Sequence, residues 1–125
     1  MMHKILVVED NERNRILLRE VLTSEGYEVI EARNGDEALK SAKEHNPALI
    51  LMDIQMPVMD GLSCLKLIRE DVDIGHIKIV ALTSFAMKGD REKFMAAGFD
   101  GYMTKPIDID QLMESVNGFI GTREG

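Results

Sequence analysis

Three carboxylates, a hydroxyl and an ammonium each stand at the end of a short apolar run in this chain. Glu9-Asp10 follow Lys4-Ile5-Leu6-Val7-Val8, and Asp53 follows Leu49-Ile50-Leu51-Met52. Thr83 closes Lys78-Ile79-Val80-Ala81-Leu82, and Lys105-Pro106 follow Gly101-Tyr102-Met103-Thr104. A continuous apolar run without alternation is the pattern of a strand buried on both faces, as in a parallel sheet. Parallel strands share one carboxyl edge, and ligands of open α/β sheets bind there. Taken singly, each residue has an ordinary explanation. A Glu-Asp pair suits the start of a helix, Lys-Pro suits a turn, and a Thr caps or packs at a strand end. Their joint placement at successive strand ends predicts one pocket that holds all five groups.

Three carboxylates in one pocket repel, and crowding raises their pKa values. A hard divalent cation relieves this. Mg²⁺ takes oxygen ligands, typically one or two carboxylates with waters and a phosphate oxygen. Asp10 and Asp53 are the expected direct ligands, Glu9 acts directly or through water, and the backbone carbonyl of Gln55 is a further oxygen donor. With the cation bound, Asp53 is suited to attack a phosphoryl donor as a carboxylate nucleophile. The protein then works by positioning and charge neutralisation. Mg²⁺ and Lys105 offset the phosphoryl oxygens, and the Thr83 hydroxyl donates to one of them.

The elements between the strands must hold this arrangement. After Asn11 the pattern turns helical to Glu25, with Ile16, Leu17, Val21 and Leu22 as its apolar stripe, Arg13, Arg15 and Arg19 outside it, and Gly26 as a stop. Glu28–Ala32 reads as a second strand whose polar flanks suggest a sheet edge. Asn34 is an N-cap with Glu37 completing a capping box, and Ala38, Leu39 and Ala42 form that helix's stripe before Asn46-Pro47 ends it. Asp60 caps a third helix carrying Leu62, Leu65 and Ile68. Residues 71–76 form a polar connector. Asp90–Ala97 is a short helix with Phe94, Met95 and Ala97 on its apolar side. Asp108 opens a last helix with Ile109, Leu112, Met113, Val116, Phe119 and Ile120 buried. Strand and helix alternate five times, which argues for a parallel sheet covered on both faces.

Composition narrows the function. The chain has 125 residues, enough for one domain with one adequate core. Its net charge of −7 opposes contact with nucleic acid or an anionic membrane surface. No run approaches a membrane span, and the start shows no signal-peptide pattern. The single cysteine, Cys64, excludes an internal disulfide and a cysteine zinc site, and reads as a small packing residue. A cytoplasmic location is expected. His3, His45 and His76 have no ligand spacing.

Four segments carry a resemblance: Ile5-Leu6-Val7-Val8-Glu9-Asp10-Asn11, Leu51–Gly61 with Met56-Pro57-Val58-Met59-Asp60-Gly61 inside it, Ala81-Leu82-Thr83, and Tyr102-Met103-Thr104-Lys105-Pro106. In this order and spacing the sequence resembles the receiver (CheY-like) domain of two-component response regulators over nearly its whole length. The run Phe85-Ala86-Met87-Lys88-Gly89-Asp90 is similar to DivK-type single-domain regulators and to receivers attached to hybrid histidine kinases.

The resemblance implies a flavodoxin-like (βα)5 fold, strand order 2-1-3-4-5, as a single receiver domain over residues 1–125. It implies that Asp53 is the phosphoacceptor of a signalling switch in a phosphorelay. A histidine kinase or a histidine phosphotransfer protein is the phosphohistidine donor. Glu9, Asp10, Asp53 and the Gln55 carbonyl form the Mg²⁺ site, where Mn²⁺ substitutes. Lys105 pairs with the phosphoryl group, and the Lys105–Pro106 bond is cis. Thr83 moves toward the phosphoryl group and Tyr102 turns inward behind it. The surface of the fourth helix, fifth strand and fifth helix then contacts a downstream protein, with the chain as a monomer or a phosphorylation-dependent dimer. Such a protein catalyses its own phosphorylation and slow dephosphorylation without being a turnover enzyme. Gln55 and Phe85, two residues beyond Asp53 and Thr83, flank the path of attacking water. Phe85 offers no proton-transfer group, so a long-lived aspartyl phosphate is expected.

Other readings fit less well. A receiver cut from a hybrid histidine kinase would act as a relay intermediate. A flavodoxin-like electron carrier needs a Ser/Thr/Gly-rich phosphate loop after the first strand, where Glu9-Asp10-Asn11-Glu12 has the opposite charge. A Mg²⁺-dependent hydrolase needs a second acid or base, and Gln55 stands two residues after Asp53. No P-loop motif occurs.

Overall fold

The structure is a computed structural model, and it describes residues 2–84 and 87–121. Five strands alternate with five helices: β1 (Lys4–Val8), α1 (Glu12–Ser24), β2 (Glu28–Ala32), α2 (Gly35–His45), β3 (Leu49–Asp53), α3 (Gly61–Glu70), β4 (Lys78–Thr83), α4 (Asp90–Ala97), β5 (Gly101–Thr104) and α5 (Ile109–Ile120). The strands form one parallel sheet in the order β2-β1-β3-β4-β5. This is the flavodoxin-like fold expected from the sequence, with β2 at an edge.

Side chains of a strand alternate between the two faces of a sheet, so each buried strand feeds two cores. Leu6, Val8, Ile50, Met52, Ile79 and Ala81 face α2, α3 and α4, where Ala38, Ala42, Cys64, Leu65, Ile68 and Phe94 meet them. Ile5, Val7, Leu49, Leu51, Val80 and Leu82 face α1 and α5, where Leu18, Leu22, Leu112 and Val116 meet them. Burial on both faces explains the unbroken apolar runs. Cys64 is free and buried, its thiol is pushed up to about 12 by that burial, and its role is packing. His3 and His76 are exposed and His45 is half-buried.

The local signals hold at most helix starts. Asn11, Asn34, Asp60 and Asp108 each accept a backbone N–H three residues on. In the helix capped by Asn34, Glu37 reaches back to the N–H and guanidinium of Arg33 rather than to the Asn34 N–H that a capping box uses. Four apolar assignments shift. In α1 the buried residues are Leu18 and Leu22, and Leu17 is 48% exposed, so the helix is rotated from the expected stripe. Ile74 in the 71–76 connector is buried in the core beside α3. In α4 only Phe94 is buried, whereas Met95 and Ala97 are exposed. Ile109 is exposed at the start of α5.

The β3–α3 loop is the tightest part of the frame. A Cβ on Gly61 would lie 2.7 Å from the Asp53 carbonyl oxygen and 2.9 Å from Ile54 Cα, so α3 begins pressed against the backbone that carries Asp53. Gly61 N–H donates to the Ile54 carbonyl at 3.0 Å. Within the same loop, Met59 N–H donates to the Pro57 carbonyl at 2.7 Å, and Val58 between them has φ 70°. A β-branched residue there is strained. Val58 is 84% exposed, so its side chain gains little from packing. Val58→Gly relieves strain of about 1–3 kcal/mol and adds about 0.5–1 kcal/mol of chain entropy to the unfolded state. A net stabilisation of about 1 kcal/mol is expected in urea unfolding; a loss of stability would mean that the turn is not strained.

Candidate functional site at the carboxyl edge of the sheet

The parallel register brings the strand ends together. Asp53 is the last residue of β3 and pairs with Leu82, one residue before Thr83 closes β4. Thr83 pairs with Thr104, and Lys105 N–H donates to the Thr83 carbonyl at 2.8 Å. Glu9 N–H donates to Ala32 at the end of β2, at 3.0 Å. Glu9, Asp53 and Thr83 are the buried polar residues of the chain among those described. Asp10 lies beside them and is exposed.

Carboxylate oxygens of Glu9, Asp10 and Asp53 all lie within 4.8 Å of one another. Lys105 Nζ lies 2.7 Å from Glu9 Oε2 and 3.4 Å from Asp53 Oδ2. One ammonium therefore serves two buried acids and favours Glu9. The result is an excess of negative charge. Burial pushes the Asp53 carboxyl up to about 7, and the Glu9 charge adds to the rise. Lys105 and the Gln55 N–H, which donates to Asp53 Oδ1 at 3.2 Å, pull the other way and only partly offset it. The donors are all hard oxygens, and a divalent cation would offset their excess charge. The residues present fit such an ion.

Two further residues close the pocket. The Gln55 side chain donates through Nε2 to the Thr83 hydroxyl at 3.0 Å and accepts the Ser84 N–H at 3.4 Å. It spans from the β3–α3 loop to the end of β4. The Lys105–Pro106 peptide bond is cis. Beside the acids, a pocket of about 400 Å³ is lined by Leu17, Leu18, Leu82, Pro106 and Ile107 together with Glu9, Asn14, Ser84 and Lys105. Tyr102 is half-buried, with its ring stacked on Phe94 at 5.6 Å between centroids. Burial, with Asp90 and Glu92 nearby, raises its phenol. Phe85, assigned to the water path in the sequence, lies outside the described residues.

Residues 5–117 match the family model of the response regulator receiver domain. The chain belongs to this family. It is 44% identical over 121 residues to the polar-differentiation response regulator DivK of Brucella anthropi, covering 97% of this chain and 98% of that protein. Among solved structures, it is similar to the receiver domain of a sensor histidine kinase from Pseudomonas aeruginosa, in which a magnesium ion is coordinated in the active-site cleft. The identity there is 36%, the TM-score 0.89, and the match covers 98% of this chain and 100% of that one. A chemotaxis response regulator of Vibrio cholerae matches at 29% identity and TM-score 0.88, over 95% of this chain and 99% of the other. This chain is thus a receiver domain of two-component signalling. No helix among its described residues is long and apolar enough to cross a membrane.

Local sequence patterns passed over two features of this receiver site. One is the Gln55 amide, bonded to Thr83 across 28 positions. The other is Arg15, whose Nη1 donates to the Glu9 main-chain carbonyl at 2.9 Å while Nε bonds Glu31 on β2 at 3.1 Å. The available signal was its place outside the apolar stripe of α1, and that does not distinguish a solvated arginine from an engaged one.

Proposed function

We propose that this receiver accepts a phosphoryl group from a phosphohistidine onto Asp53 and signals the change to another protein. The observation that carries the reading is the position of Asp53. It is buried at the carboxyl edge between two other carboxylates and the Lys105 ammonium. Glu9, Asp10, Asp53 and the Gln55 carbonyl would hold Mg²⁺, which when bound screens the acids and draws charge from the phosphoryl oxygens.

An Asp53 oxygen attacks phosphorus; the new O–P bond forms as the donor's N–P bond breaks, and the imidazole leaves taking a proton from solvent. Lys105 neutralises the charge gathered on the phosphoryl oxygens. Thr83 gives its hydroxyl to one of them, which requires its contact with Gln55 to rearrange. Tyr102 then turns inward from its place on Phe94, and the face formed by α4, β5 and α5 changes shape for a downstream protein. The donor is a histidine kinase or a histidine phosphotransfer protein. By their places in the sequence, two residues beyond Asp53 and Thr83, Gln55 and Phe85 are the residues expected to tune hydrolysis of the aspartyl phosphate. Phe85→Glu is expected to speed its hydrolysis, and an unchanged rate would remove Phe85 from this role.

Incubation with Mg²⁺ and acetyl phosphate, followed by intact mass spectrometry, tests the central claim. One phosphoryl group is expected on the wild type, none without Mg²⁺, and none on Asp53→Asn. An adduct that persists in Asp53→Asn would move the acceptor elsewhere.

A further inference from the structure

We infer that Arg15, braced by Glu31, is a positioning residue for the acidic cation site. This rests on the reading of Glu9, Asp10 and Asp53 as cation ligands. Asp10 is exposed, and its placement among the other two carboxylates depends on the direction in which its side chain leaves the backbone. That direction follows from the plane of the Glu9–Asp10 peptide, because the peptide unit is rigid. The carbonyl of that peptide is the Glu9 oxygen that Arg15 Nη1 holds at 2.9 Å.

Other bonds fix the loop on either side of this peptide without fixing its plane. Glu9 N–H is tied to Ala32 at 3.0 Å, Asn11 N–H donates to Glu9 Oε1 at 3.3 Å, and Asn11 caps α1 through the Asn14 N–H. Arg15 is itself held. Its Nε meets Glu31 Oε1 at 3.1 Å, while Arg19 Nη1 meets Glu31 Oε2 at 3.1 Å. The Arg15 side chain is 12% exposed, so the fork has little freedom. Glu31 also offsets the Arg15 charge. Without that offset, a cation beside the pocket would oppose the binding of another cation.

The two ways Arg15 can influence the site have opposite signs, and this makes the inference testable. Removing a positive charge should tighten binding of a divalent cation through the electric field alone. Releasing the Glu9–Asp10 peptide should weaken it, by about tenfold for a partner that orients a ligand. The experiment is calorimetric Mg²⁺ titration of the full chain as wild type, Arg15→Met, Arg15→Lys and Arg19→Met. Arg19 carries the same charge and shares Glu31, its guanidinium bonding Glu31 Oε2.

The expected result is a Kd raised about tenfold in Arg15→Met and raised less in Arg15→Lys, which keeps one donor. Arg19→Met should be unchanged or tighter. Equal or tighter binding by Arg15→Met overturns the inference while leaving the cation site intact. Weakening of equal size in Arg15→Met and Arg19→Met also overturns it. No binding by the wild type overturns the reading of the site itself. If Arg15→Met does not fold, the order of wild type, Arg15→Lys and Arg19→Met decides the question.

Discussion

Replacing Asp53 by Asn is expected to stabilise the cation-free protein by about 2–4 kcal/mol at pH 8 and to change it little at pH 4. The Asp53 carboxyl titrates near 7 in the folded chain, pushed up by burial and by Glu9, against an ordinary value near 4 in the unfolded chain. Between those values the folded state holds a proton that the unfolded state has released. Stability therefore falls as pH rises through this window, and the loss is complete above about pH 7. Each unit of difference is worth about 1.4 kcal/mol, and Glu9 shares the burden, so the range stops short of multiplying the full shift. Asn keeps the shape and can still accept the Gln55 N–H, and Lys105 keeps Glu9 at 2.7 Å. Mg²⁺ should restore stability to the wild type at pH 8 and do less for the variant. Urea unfolding followed by circular dichroism from pH 4 to 8 measures this. Parallel curves for the two proteins would show that the pocket is not under electrostatic load.

Arg69→Met is expected to cost about 2–4 kcal/mol of stability without weakening Mg²⁺ binding. The Arg69 guanidinium joins three segments at the end of the sheet remote from the carboxylates. Nη1 donates to the carbonyls of Gly75 at 3.0 Å and Ile77 at 2.6 Å. Nε and Nη2 donate to the Gly98 carbonyl at 3.2 and 2.9 Å, and Nη2 meets Asp100 Oδ2 at 2.8 Å. Asp100 Oδ2 also accepts the Ile79 N–H at 2.9 Å. Removing the fork leaves three carbonyls without this donor, while Asp100 keeps the Ile79 N–H. The site is about a quarter exposed, so water recovers part of the loss, which sets the upper limit. Arg33→Met is the contrast. Among the described residues Arg33 pairs with Glu37 four residues on, at the surface, and no measurable change in stability is expected. If Arg69→Met and Arg33→Met unfold at the same urea concentration, the Arg69 network contributes nothing beyond a surface pair.

Legibility from sequence followed the range of the interactions. β1, β3 and β4 declare themselves because burial on both faces leaves no room for polar residues. Asn34 and Asp60 mark helix starts because a cap acts over three residues. α1 was harder. With apolar residues at 16, 17, 18, 21 and 22, its rotation was ambiguous, and packing against β1 and α5 selected Leu18 and Leu22 over Leu17. Ile74 sits among Asp71, Asp73 and Gly75, and local composition hid a side chain that fills a gap beside α3.

The same division runs through the candidate site. Its membership was determined by sequence alone, because strand ends in a parallel sheet must share an edge, so Glu9, Asp10, Asp53, Thr83 and Lys105 had to gather once β1, β3, β4 and β5 were recognised as strands of one parallel sheet. Its electrostatic state was decided by tertiary structure. Which acid Lys105 favours, how far the Asp53 carboxyl rises, and what Gln55 and Arg15 hold depend on distances between atoms far apart in the chain. Residue types and spacing carry direction and periodicity. Only packing brings charges to 3 Å or leaves them apart, and at these separations that difference decides the chemistry.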